Sequence, residues 1–266
     1  MIWQTDPVAF YVAVGDHRWP VFWYGVLFAS TFAYGTLMFR WLYRQAGKPV
    51  DHVYDLVLTV IVGTVIGARL GHTMIYNPGL YLSEPWRILY VWKGGLASHG
   101  AVVGILLAVW LYARWRPDQS FLWICDRIGM AVPLSGCLIR LGNFFNSELL
   151  GRPTEMPWAV VFARIDMIPR HPVQLYESLC YLLIFFIQFR FYLKHRDDLP
   201  LGMLFGRFFV LVFGARFLME FFKEEQTIYV TGLPMNMAQF LSIPAVLVGV
   251  VIIVLSRRHF LSKASG

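Results

Sequence analysis

Apolar residues in this chain come in long runs rather than in the short alternations of a soluble sheet. Seven stretches, near 20–42, 54–76, 95–114, 121–140, 174–193, 201–222 and 237–256, each approach the length that crosses a bilayer as a helix, about 20 residues. The last is the cleanest, with no charge between Met237 and Leu255, whereas Arg69 and His72 interrupt the second. No long polar segment, low-complexity tract or soluble repeat intervenes. The pattern predicts one all-α integral membrane domain over 1–266, a polytopic protein with about seven transmembrane helices. Two connecting stretches stand out. Asn77 to Lys93, with Pro78, Pro85, Trp86, Tyr90 and Trp92, reads as an arm lying along the headgroups, and 152–172, with Pro153, Pro157, Pro169 and Pro172, reads as an irregular outer loop.

Composition agrees. Of 266 residues, 58% are apolar and only 15% charged, and the mean hydropathy is +0.56. Soluble domains carry roughly a quarter charged residues. Residues 1–19 show no basic start followed by an apolar run, so the first hydrophobic segment is expected to act as an uncleaved anchor. The net charge of +7 points to anionic lipid rather than nucleic acid, because the basic residues cluster at segment ends. More of them follow segments one, three, five and seven (Arg40, Arg44, Lys48, Arg114, Arg116, Arg190, Lys194, Arg196, Arg257, Arg258, Lys263) than lie on the other side. The positive-inside rule then places the N-terminus outside and the C-terminus in the cytoplasm.

Small residues recur every four positions in two segments: Gly63, Gly67 and Gly71, then Gly100, Gly104 and Ala108. That spacing suits close helix packing in lipid. The three cysteines, Cys125, Cys137 and Cys180, form no CxxC pair and read as small packed hydrophobes. Asp126 and Arg127, just inside segment four, read as structural.

One stretch does not fit a purely apolar reading. Residues 140–152, RLGNFFNSELLGR, crowd arginines, asparagines, a serine and a glutamate behind an apolar run. Such groups near hydrocarbon face a protein interior or a wet cavity and usually mark a site. Arg140, Asn143 and Asn146 follow one another at i, i+3 and so share a helix face. His99 lies in GGLASHGAVVG between glycines, a position that suits a site and plain packing equally. Arg216 and Glu220 are i, i+4 in GARFLMEFFKEE, either part of the same pocket or only an internal ion pair. Tyr24 is either an interfacial anchor or a hydroxyl turned into the pocket. Glu177, in RHPVQLYES, reads as a helix-start carboxylate favoured by the dipole.

Two arginines suit a phosphate, which guanidinium grips with a bidentate fork. The asparagines suit headgroup hydroxyls, and His99 suits proton transfer. No GxSxG, HExxH, Walker or GxGxxG motif and no zinc spacing is present, so neither metal nor nucleotide is expected. The residues alone imply a membrane protein that binds an anionic phospholipid headgroup at its outer leaflet, a description that a transporter or lipid-binding protein also meets.

The stretch RLGNFFNSELLGR, the glycine-flanked histidine of GGLASHG, and the HPVQLYE and RFLMEFF elements together resemble the bacterial prolipoprotein diacylglyceryl transferases, in that family's order and over nearly the whole chain. The resemblance implies transfer of the diacylglyceryl group of phosphatidylglycerol onto the lipobox cysteine of a preprolipoprotein signal peptide, with release of glycerol 1-phosphate. It implies no cofactor, and a location in the bacterial cytoplasmic (inner) membrane with the active site toward the periplasmic or outer face. By position it implies that Arg140 and Arg216 hold the phosphate and that Tyr24, Asn143, Asn146, Glu148 and Gly151 line the pocket. His99 is then the expected base for the thiol, with Glu148 and Glu220 as rivals.

Overall fold

The structure, a computed structural model, describes residues 1–75, 78–90, 94–196, 198–224 and 235–264. It is an all-helical polytopic membrane protein in which strands are minor. The long helices are α1 (Trp23–Gln45), α2 (His52–Ile75), α4 (Ser98–Trp115), α5 (Phe121–Asn146), α6 (Val173–His195), α7 (Met203–Met219) and α8 (Met237–Ala264), with a short α3 (Pro78–Ser83) between α2 and α4. Among the described residues, four apolar stretches, His52–Ile75, Phe121–Asn146, Val173–His195 and Met237–Arg258, are long enough to cross a bilayer by length and composition. The chain forms two compact units, Thr36–Cys125 and the pair Met1–Gly35 with Asp126–Gly266.

In the Thr36–Cys125 unit, α2 and α4 meet along their glycines. A Cβ on Gly67 would lie 2.7 Å from the Gly104 Cα, one on Gly71 would lie 2.7 Å from the Gly100 Cα, and one on Gly63 would lie 2.6 Å from the Ala108 Cβ. The two backbones therefore touch, as the four-residue spacing predicts. Arg69, which weakened the second segment as a span, is buried and donates to four carbonyls. Its Nε reaches Ile88 at 2.8 Å, and its terminal nitrogens reach Arg87 at 2.5 Å, Gly94 at 2.7 Å and Gly95 at 3.0 Å. A charge there is tolerated because a full set of acceptors surrounds it. It ties down the stretch after α2, where α3 and a 3-10 turn (Pro85–Leu89) form; Asn77, Trp92 and Lys93 of the expected arm lie outside the described residues.

In the other unit, the prolines of 152–172 do not keep it wholly irregular. Strands β4 (Val160–Phe162) and β5 (Pro169–Arg170) pair antiparallel, and β1 (Ile2–Trp3) adds in parallel to β4. Pro169 opens its strand, where a missing N–H does least harm. A second ribbon pairs β2 (Val8–Val14) with β3 (His17–Phe22) around Gly15, whose φ of +60° suits the tight turn. Phe144, Leu150, Val160 and Phe162 bury a small core under the first sheet, with Trp3 packed on Phe144.

Asp126 has the structural role its position suggested. Fully buried, it accepts from the Gly202 N–H at 2.8 Å and the Phe205 N–H at 2.9 Å, so α5 caps the start of α7. Asp126→Asn keeps the shape but points an amide at those donors. Its expected effect is a loss of about 1–2 kcal/mol, read as a lower melting temperature in detergent.

Candidate functional site

The site begins where α5 runs on past the apolar segment. The helix extends to Asn146, so Arg140, Asn143 and Asn146 do share a face. It then stops in a Schellman turn: the Ser147 N–H bonds to the Phe144 carbonyl at 3.1 Å and the Glu148 N–H to the Asn143 carbonyl at 2.9 Å. Glycine usually takes the left-handed residue of that turn, but here Ser147 does, at φ +56°, and Leu149 is left-handed as well, also at φ +56°. Arg164 braces the turn, reaching the Phe145 carbonyl at 2.5 Å and the Ser147 hydroxyl at 2.9 Å, and Gln174 donates to the Glu148 carbonyl at 2.5 Å. Ser147 is the braced turn and Leu150 part of the core beneath it.

This backbone turns the Glu148 carboxylate onto the helix face it has just left. One oxygen accepts from the Asn143 amide at 2.9 Å and the other from Asn146 at 3.1 Å, while Asn143 accepts from Arg140 at 3.0 Å. Arg140, Asn143, Asn146 and Glu148 thus form one hydrogen-bonded network, with Glu148 exposed at its edge. Tyr24 packs beside it: a Cβ on Gly142 would lie 2.9 Å from the Tyr24 ring. Arg216 comes from α7. The residues beside the two arginines, Leu141 and Ala215, pack on the same buried cluster of Cys137, Tyr181 and Ile184, which brings the two helices together there.

Glu220 does not pair with Arg216 among the described residues. Helix α7 ends at Met219, and the Glu220 carboxylate turns to the Lys223 ammonium at 3.1 Å and the Asn236 amide at 3.0 Å. Gly151 is tightly packed, with no room for a Cβ between His171 and Val173, and its strand pairs with Lys223. Beside it Arg170 donates to the Gly151 carbonyl at 3.2 Å and pairs with Asp166 at 2.7 Å and Glu224 at 2.9 Å. The Arg170 guanidinium holds the exposed Asp166 carboxyl below the ordinary carboxylate range. His99 belongs to the Thr36–Cys125 unit, where it stands exposed in the first turn of α4, at the mouth of an apolar groove of about 820 Å³ along the glycine seam.

Two residues of this site are not singled out by the local sequence pattern. Glu177 lies in the second turn of α6, beyond the reach of a first-turn dipole effect, and is 1% exposed. One of its oxygens lies 2.7 Å from Arg140 Nε and the other 2.9 Å from Lys223 Nζ. Lys223 follows α7 in a basic and acidic run, KEE, that by itself marks no site. The available signal was the placement of both within the HPVQLYE and RFLMEFF–KEE elements already marked for the site.

The prolipoprotein diacylglyceryl transferase family profile matches residues 7–255. Among similar proteins, one from Tolumonas auensis is 45% identical over 259 residues, covering 97% of this chain and 98% of its own length. One from Chloroherpeton thalassium is 50% identical over 253 residues, covering 95% of this chain and 93% of itself. A third, from Porphyromonas gingivalis, is 38% identical over 268 residues, at 95% and 93% coverage. Each is named a phosphatidylglycerol–prolipoprotein diacylglyceryl transferase. With its signature residues gathered as one network and a family match running nearly end to end, the chain belongs to the prolipoprotein diacylglyceryl transferase family.

Proposed function

We propose that this chain transfers the sn-1,2-diacylglyceryl group of phosphatidylglycerol to the lipobox cysteine thiol of a preprolipoprotein, releasing glycerol 1-phosphate. The sulfur displaces the phosphate at the glyceryl carbon: a carbon–sulfur bond forms, the carbon–oxygen bond breaks, and the bonding pair leaves on the phosphate oxygen. Charge grows on that phosphate, so fixed cations around it lower the barrier. The observation that carries this reading is the Arg140–Asn143–Glu148–Asn146 network at the end of α5, with Ala215, the neighbour of Arg216, packed on the same cluster as Leu141, the neighbour of Arg140. Arg140 and Arg216 hold the phosphate; Asn143, Asn146 and Tyr24 face the headgroup, and Gly151 supports the pocket wall by packing tightly on His171 and Val173.

The lipobox thiol, with a pKa near 8.5, is only a few per cent ionised at neutral pH, so a base speeds attack. We assign that role to His99, whose ring is exposed. Glu148 and Glu220, the rivals, already have both oxygens engaged by neighbours. His99→Gln is expected to lower turnover about 100-fold or more while leaving phosphatidylglycerol binding within a few-fold. Wild-type turnover of that variant across pH would remove His99 from the role.

The enzyme acts at the periplasmic or outer face of the bacterial cytoplasmic membrane, as the clustering of basic residues in alternate loops supports. Purified protein in vesicles with phosphatidylglycerol and a lipobox peptide is expected to release glycerol 1-phosphate and yield a thioether-linked lipopeptide. Movement or retention of the lipid without its consumption would instead identify a transporter or binding protein.

A further inference from the structure

Arg140, Glu177, Lys223 and Glu220 form an unbroken chain of alternating charge. The three contacts are 2.7, 2.9 and 3.1 Å, and the side chains are 16%, 1%, 10% and 9% exposed along it. The chain links α5, α6 and the turn after α7. Lys223 is fixed at its backbone too: its residue pairs with Gly151, and its carbonyl accepts from Arg152 Nε at 2.9 Å. The ammonium therefore reaches Glu177 from a rigid mount.

We propose that Glu177 and Lys223 are positioning residues of the transfer reaction. This rests on the reading that Arg140 receives the phosphate. Glu177 fixes the Nε edge of Arg140, and Asn143 fixes one terminal nitrogen. Those two contacts set the direction of the guanidinium, and its remaining N–H donors serve the Tyr181 hydroxyl and the lipid. Lys223 holds the other oxygen of Glu177, so the carboxylate cannot turn away. It also balances Glu220. Without Lys223, Glu177 keeps only Arg140 and Glu220 loses its cation, and the site gains a negative charge beside the place where an anionic lipid must bind.

The test compares full-length wild type, Lys223→Met, Lys223→Arg, Glu177→Gln and the Glu177→Gln/Lys223→Met double variant in phosphatidylglycerol vesicles with a lipobox peptide, reading glycerol 1-phosphate and melting temperature. Each neutralising single variant is expected to lose about 100-fold in kcat/KM, the scale of a misplaced reacting group. Lys223→Arg, which keeps the charge, is expected to stay within about fivefold of wild type. The double variant, which removes one charge of each sign, is expected to be at least as active as Lys223→Met, because paired groups are not additive. Three results would overturn the proposal: wild-type kcat/KM in either single variant, Lys223→Arg as poor as Lys223→Met, or a double loss equal to the product of the singles. A loss that merely tracked melting temperature, without rescue by arginine, would mark the pair as structural. Wild-type turnover in the same vesicles tests the transferase reading separately.

Discussion

Arg140→Ala protein is expected to reach the membrane at wild-type level and to release glycerol 1-phosphate at least 1,000-fold more slowly, roughly what loss of a fixed charge at a developing anion costs. The side chain sits at the junction of two networks, one running through Asn143 to Glu148 and one through Glu177 to Lys223. Truncation leaves Asn143 and Glu177 without a shared partner, and on the proposed reading it takes a guanidinium from the phosphate. Arg140→Lys separates these effects. It keeps a charge but cannot bridge Glu177 and Asn143 while offering a fork to the lipid, so a loss of about 100-fold is expected. Arg216→Ala is expected to match Arg140→Ala in activity. It is expected to be milder in stability, since no ion pair with a described residue is broken. Assays of purified variants in phosphatidylglycerol vesicles check all three. Full activity in either alanine variant would remove that arginine from the phosphate.

The second large effect concerns the glycine seam. Gly67→Val is expected to lower the melting temperature sharply and to reduce accumulation in the membrane, because even its Cβ would sit 2.7 Å from the Gly104 Cα and 2.9 Å from its nitrogen. Both neighbours are backbone and cannot swing aside, so α2 and α4 must separate along their length. Overpacking costs about 1–3 kcal/mol where side chains can yield, and the loss here is expected at or above that range. Gly35→Ala is the control. It also lies in a helix but has nothing within 4 Å of the added carbon, so it is expected to be neutral or slightly stabilising. Comparable melting temperatures for the two variants would show that the seam is not a tight contact.

The seam was legible in the sequence because four-residue spacing is a local signal, and so were the positions of the long helices. The end of α5 was less so. The apolar run stops near Arg140, but the helix continues to Asn146, since backbone bonding and a buried polar network sustain it where hydrophobicity does not. The N-terminal ribbon carries a fainter signal, two short apolar runs split by Gly15 and Asp16, because its exposed strands bury no face that would impose a clear alternation. Arg140, Asn143 and Asn146 could be placed together from helix periodicity alone. Glu177 and Lys223 could not, because their contact joins positions 46 residues apart in sequence and depends on where two helices end.

Glu148 stands between two residues that hold a conformation L-amino acids avoid, at about 1–2 kcal/mol each. Folding has already absorbed that cost, and Arg164 and Gln174 keep the loop from relaxing. The carboxylate is thus aimed in advance, and on the proposed reading lipid docking demands little rearrangement of the main chain. Glycine at position 149 would ease the loop and leave a sturdier protein with a looser aim.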